Sequence, residues 1–80
     1  MDRDLSRSVV RATFRSAREL QDLLPLLKQH SDAEEYKIYA RAIAAVIAEG
    51  GQQLLNRVFA EHPDLEAEVD ASIKATGRYD

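Results

Sequence analysis

Apolar residues recur every three or four positions along most of this chain, which is the spacing of an amphipathic α-helix. No stretch alternates apolar and polar residues for long enough to form a β-strand. Apart from Gly and Pro, most positions hold Ala, Leu, Glu, Arg, Gln or Lys, which all favour helices. The pattern therefore predicts one all-α domain over residues 1–80.

The first helix is predicted to run from about residue 4 to residue 30. Its apolar side chains share one broad face and are Leu5, Val9, Val10, Ala12, Ala17, Leu20, Leu23, Leu24 and Leu27. Pro25 interrupts this pattern. Because proline lacks an N–H group and clashes with the preceding turn, we expect a kink near Pro25.

A second helix is predicted over about residues 32–60. Ser31 and Glu34 form a capping-box pattern just before it, so the connection from the first helix is very short. Gly50 and Gly51 would each cost about 1 kcal/mol in a helix, yet the apolar phase continues through them. The positions in phase are Tyr36, Ala40, Ile43, Ile47, Gly50, Leu54 and Val58. We therefore predict one long helix, and a kink or a loop at the glycines remains the alternative.

A short third helix is predicted over about residues 63–76. Pro63 suits the first turn of a helix, and Gly77 suits a C-terminal stop. The narrow apolar edge of this helix consists of residues four positions apart, Leu65, Val69 and Ile73. Residues 78–80 are expected to form a frayed tail.

The short connection near residues 30–31 predicts that the first two helices lie side by side as a long antiparallel hairpin. Folding the chain back there sets Gly50 and Gly51 opposite Ala12 and other small residues of the first helix. Small residues on both sides let two backbones approach each other. The sequence therefore predicts close helix packing at Gly50, Gly51 and Ala12.

The second helix is apolar on two opposite faces. One face would pack on the first helix, and the other carries Ile38, Ala42 and Ala45. A helix that is apolar all round must be buried all round, and the short third helix can cover only part of it. We therefore expect a second copy of the chain to cover this face in a homodimeric helical bundle. The alternative is a monomer that leaves the face exposed.

Five arginines follow one stripe of the first helix, namely Arg3, Arg7, Arg11, Arg15 and Arg18. A guanidinium group binds a phosphate or a carboxylate through two parallel hydrogen bonds. The stripe is thus a candidate docking face for an acidic protein surface or for nucleic acid. Residues 61–70 contain five acidic residues and no Lys or Arg, so pairing within the chain is the competing interpretation. A sequence pI of about 5.3 argues against nucleic acid.

The other polar residues give little support for chemistry. Tyr36, Tyr39 and Arg41 lie close together on the second helix and are candidates for a polar cluster or a ligand contact. His30 and His62 would lie too far apart to share a metal, and the chain has no Cys. The sequence predicts no catalytic residue, no metal site and no cofactor.

Composition narrows the classes that remain. The 80 residues carry a formal charge of −3 and are 45% hydrophobic, which does not fit a disordered chain. With no signal peptide and no long apolar stretch, we expect a cytoplasmic protein without a membrane segment. The favoured function is a small non-catalytic interaction or regulatory protein that acts as a dimer and binds another protein. The alternatives are a nucleic-acid-associated dimer that uses the arginines, and small-ligand binding in a dimer cleft.

Overall fold

The computed structural model describes residues 1–79, and no strand occurs among them. The elements in chain order are α1 (Arg3–His30), α2 (Ala33–Ala45), a π-helical segment (Val46–Gly51), α3 (Gln52–Glu61) and α4 (Pro63–Thr76). The predicted all-α class is confirmed. No helix within residues 1–79 combines the length and the apolar character that crossing a membrane requires.

Neither the proline nor the glycine pair interrupts a helix. Pro25 lies inside α1, which continues to His30. Around the glycines the backbone stays in the right-handed helical region, with φ of −63° at Gly51 and −64° at Gln52. The chain is therefore helical without a break from the start of α2 to the end of α3.

The π-helical segment changes which side chains of α3 face inward. Each N–H group in a π turn bonds to the carbonyl five residues back, so the turn takes in one extra residue and rotates the helix beyond it. Gly51 and Leu55 are half-buried, whereas Gly50 and Leu54 are exposed. The predicted inward positions at Gly50 and Leu54 are therefore wrong by one residue, because a regular helical period does not include a π turn.

Short polar residues and one glycine set the ends of the helices. Asp32 is the N-cap of α2, and its carboxylate accepts a hydrogen bond from the backbone N–H of Glu35 at 2.8 Å. The cap is thus Asp32 and not Ser31, one residue later than the capping-box pattern indicated. Gly77 ends α4 with φ of 81°, the left-handed conformation that glycine adopts without strain.

The buried core lies at one end of the molecule, where α4 packs against α3. Its members are Val10, Val58, Leu65, Val69 and Tyr79. Ile43 is the one other hydrophobic residue within 1–79 that is buried. The half of the molecule near the connection between α1 and α2 therefore has almost no core of its own.

The C-terminal residues are held more firmly than the expected frayed tail. Tyr79 is only 6% exposed, and its ring meets that of Phe14 edge to face at a centroid distance of 6.4 Å. The Ser72 hydroxyl donates a hydrogen bond to the Arg78 carbonyl at 2.7 Å. The expectation is therefore wrong for residues 78 and 79, because Tyr79 contributes to the core, and Asp80 lies outside the described residues.

Replacing Ser6 with alanine should stabilise the protein. The Ser6 hydroxyl is fully buried and has no hydrogen-bond partner within residues 1–79, and an unpaired buried hydroxyl costs about 1–3 kcal/mol. We expect Ser6→Ala to raise the free energy of unfolding, measured by urea denaturation, by about 1 kcal/mol. Ser8→Ala is the matched control at an exposed position of the same helix, where only helix propensity improves, so it should raise that free energy by about 0.5 kcal/mol or less. A loss of stability in Ser6→Ala would show that the hydroxyl has a partner.

Candidate functional site

Two arginines of the predicted stripe pair with acidic residues of α4. Arg3 forms an ion pair with Asp64, and Arg7 Nε donates a hydrogen bond to Glu68 Oε2 at 3.1 Å. These contacts bring the start of α1 beside the start of α4. They fit the interpretation in which the stripe pairs with the acidic segment of the same chain.

The other three arginines have different surroundings. The guanidinium carbon of Arg11 lies 5.7 Å from the centre of the Tyr79 ring, within the range of a cation–π interaction. Arg15 is exposed and Arg18 is half-buried. The five arginines therefore differ in their contacts within the chain.

Glu68 links α1 to the C-terminal residues. Its Oε2 accepts hydrogen bonds from Arg7 Nε at 3.1 Å and from the Tyr79 hydroxyl at 2.9 Å. The Arg7 hydrogen bond, followed by that of Tyr79, lowers the pKa of the Glu68 carboxyl, because both bonds favour its charged form. Burial, followed by the bond to Glu68, raises the pKa of the Tyr79 hydroxyl.

The candidate cluster on α2 is largely open to solvent. Tyr36 is half-buried, whereas Tyr39 and Arg41 are exposed.

The two histidines lie in separate places, and His62 Nε2 is 2.9 Å from the Met1 carbonyl oxygen. Among residues 1–79, no three His, Asp or Glu side chains come together in a group that could hold a metal.

An open groove of about 350 Å³ lies between α1 and the π-helical segment. We call it the small-residue groove. Its small residues are Ala12, Thr13, Ser16, Gly50 and Gly51, and larger side chains from both helices complete it, among them Leu20, Val46 and Leu54. Within residues 1–79, no charged side chain and no residue of α4 lines it. The small residues that the sequence sets opposite each other on the two helices thus line one groove.

The two glycines of this groove are not in tight contact with α1. A Cβ atom added at Gly50 would meet no atom within 4 Å, and one added at Gly51 would lie 3.6 Å from Thr13 Cγ2, an ordinary contact distance. Ala12, on the other side of the groove, is exposed. The expected close packing of backbones at Gly50 is not met within one chain, because the π turn leaves that residue at the open groove and not packed against α1.

The predicted dimer face is exposed and larger than the sequence indicated. Ile38, Ala42 and Ala45 are all exposed. Val46 follows Ala42 by four positions, so it continues the same face towards the small-residue groove. Val46 is 58% exposed and Leu54 is 49% exposed. The spacing from Ala42 predicts Val46 on this face, whereas a regular helical period places Leu54 on the opposite side of the helix.

Comparison of this chain with known protein families, with curated proteins and with solved structures finds no match.

Replacing Glu68 with glutamine should reduce the loss of unfolding free energy that acid causes. Because the pKa of Glu68 is lowered by folding, its contribution is present above the ordinary value of 4.5 and is lost as the pH falls through the folded value. The difference in unfolding free energy between wild type and Glu68→Gln should therefore shrink between pH 6 and pH 3 in urea titrations. A constant difference for Glu68→Gln would contradict this assignment.

Proposed function

We propose that this chain is a small non-catalytic helical protein that acts as a dimer and binds another protein. In this proposal α1 and the helix over 33–61 form a long antiparallel hairpin, and two hairpins pack face to face as a helical bundle. The contacts of α1 with α2, the π-helical segment and α3 support the hairpin. The observation that carries the dimer is the amount of surface that one chain leaves open.

One chain exposes more surface than a compact protein of its mass. Its accessible surface is 5781 Å², whereas a compact monomer of 9.0 kDa exposes roughly 4,850 Å². The excess of roughly 900 Å² is close to the ~800 Å² that each partner buries in a standard interface. The radius of gyration of 14.8 Å also exceeds the ~11.6 Å of a compact domain of this length.

The surplus surface is rich in large apolar side chains. Ile38 is 68% exposed, and Val46 and Leu54 are about half exposed on the same long helix. Contiguous exposed apolar residues mark surfaces that bind other proteins. A second copy that covers this face would remove these side chains from water and would supply the burial that the short α4 does not provide.

A second open groove supports binding of a different protein partner. It lies between α3 and α4, and its apolar side chains include Leu55, Phe59 and Ile73. Glu66 and Asp70 also line it, and no basic residue does. These carboxylates favour a partner segment that carries Lys or Arg beside apolar residues. This groove and the small-residue groove have no lining residue in common, so a dimer leaves it open.

Sedimentation equilibrium at micromolar concentration should give about twice the 9.0 kDa mass of the chain. Val46→Glu should weaken the dimer by at least ~100-fold, because it places an unpaired charge in the interface. Ala48→Glu is the matched control, since Ala48 is exposed and does not line the small-residue groove. A wild-type protein that stays monomeric up to about 100 μM would refute the dimer.

Affinity capture with the full chain as bait tests the second part of the proposal. A genuine partner should be retained by the wild type and by Ala48→Glu. It should be lost from a Glu66→Lys, Asp70→Lys double variant, because that variant reverses the charge of the groove between α3 and α4. Sedimentation of the double variant should still show a dimer. Equal capture by all three baits would argue against this groove as the binding surface.

A further inference from the structure

Gly50 and Gly51 weaken their helix, and no contact within one chain requires a glycine at either position. Each glycine destabilises a helix interior by about 1 kcal/mol relative to alanine. Neither has a positive φ, since Gly77 is the one such glycine within residues 1–79. A Cβ atom would fit at both positions. The consequence of the glycines is a groove whose floor stays open.

The groove is suited to an apolar occupant. Among the described residues its lining carries no charge, and the Thr13 hydroxyl already donates a hydrogen bond to the Val9 carbonyl at 2.8 Å. The Thr13 methyl group is the atom nearest to Gly51. An occupant made of hydrocarbon side chains would therefore cover Thr13 without leaving its hydroxyl unpaired.

The large side chains that could fill such a groove are present on the same face. Val46 and Leu54 stand beside the glycines on the long helix and are half exposed. On α1, Leu5 lies four residues before Val9, so the helical period places it in line with the groove, and it is also exposed. A two-fold interface needs one surface that carries both the protruding groups and the recess that receives them.

We propose that the small-residue groove receives a helix of a second copy of this chain, whose own Val46 and Leu54 fill the space above Gly50 and Gly51. This inference rests on the proposed dimer and states where its centre lies. A small apolar ligand would fit a groove of about 350 Å³. It would still leave Ile38 exposed, and it would not account for an excess of surface equal to one side of a protein interface.

Gly50→Leu tests this inference because it should act in opposite directions on the monomer and on the dimer. In the monomeric Val46→Glu background, a Cβ atom at Gly50 meets no atom within 4 Å and leucine favours a helix more than glycine does, so the midpoint of thermal unfolding should rise. In the wild-type background it fills the groove, and the dimer dissociation constant from sedimentation should increase at least tenfold. Ala48→Leu adds the same side chain outside the groove and should leave that constant unchanged.

Cross-linking provides a second measurement. The chain has no cysteine, so one introduced thiol is unique. Ser16→Cys places it in the small-residue groove, and Lys74→Cys places it at an exposed position of α4 as the control. A short bis-maleimide should join two copies of Ser16→Cys and should not join two copies of Lys74→Cys.

The outcomes separate this inference from the proposed function. A dimer that tolerates Gly50→Leu and is not cross-linked at Ser16→Cys refutes the groove as its centre and leaves the proposed dimer intact. A monomeric wild type refutes both. A monomer that binds the dye 1-anilinonaphthalene-8-sulfonate, and loses it on Gly50→Leu, would show a small apolar ligand in place of the second copy. That result would overturn the inference.

Discussion

Two long helices form an apolar layer that a short third helix covers only at one end, and the rest of the structure depends on this mismatch. The first helix has 28 residues and α4 has 14. The well-buried side chains accordingly cluster where α4 packs against α3, around Leu65 and Val69. Elsewhere the layer stays two helices thick, and the smallest dimension of the molecule is 16 Å. The remaining apolar face, which includes Ile38 and Val46, is open to water.

Ion pairs and one shared carboxylate join α4 to the first helix and to Tyr79. The basic stripe on α1 meets the acidic residues of α4 through Arg3 and Arg7, and Glu68 also holds the hydroxyl of Tyr79. Exposed ion pairs contribute little stability each, but here they accompany an aromatic side chain that is part of the core. At Arg3, Arg7 and Arg11 the stripe is therefore engaged in contacts with α4 and Tyr79.

The glycine pair affects both the helix that contains it and the surface of the molecule. Within the long helix the glycines coincide with a π-helical turn, which rotates α3 so that Leu55, and not Leu54, faces inward. The same rotation leaves Gly50 and Leu54 on the open side beside α1. A π turn is common at functional sites, and here it creates a surface that has both a recess and the side chains to fill one.

The sequence by itself determined the helices, because capping residues, breakers and apolar spacing act within a few positions of each other. Asp32, Pro63 and Gly77 mark helix ends for reasons that are local to the backbone. The tertiary structure alone decided the register of α3, the burial of Tyr79 and the identity of the arginines that pair with α4. The burial of Tyr79 and the arginine pairs depend on contacts between residues about sixty positions apart, and the register of α3 depends on a change of helical period. A regular pattern of apolar residues encodes neither. The small residues of the groove involve both levels. Their spacing sets them opposite each other on the two helices, and only the packing of the helices determines that open space remains between them.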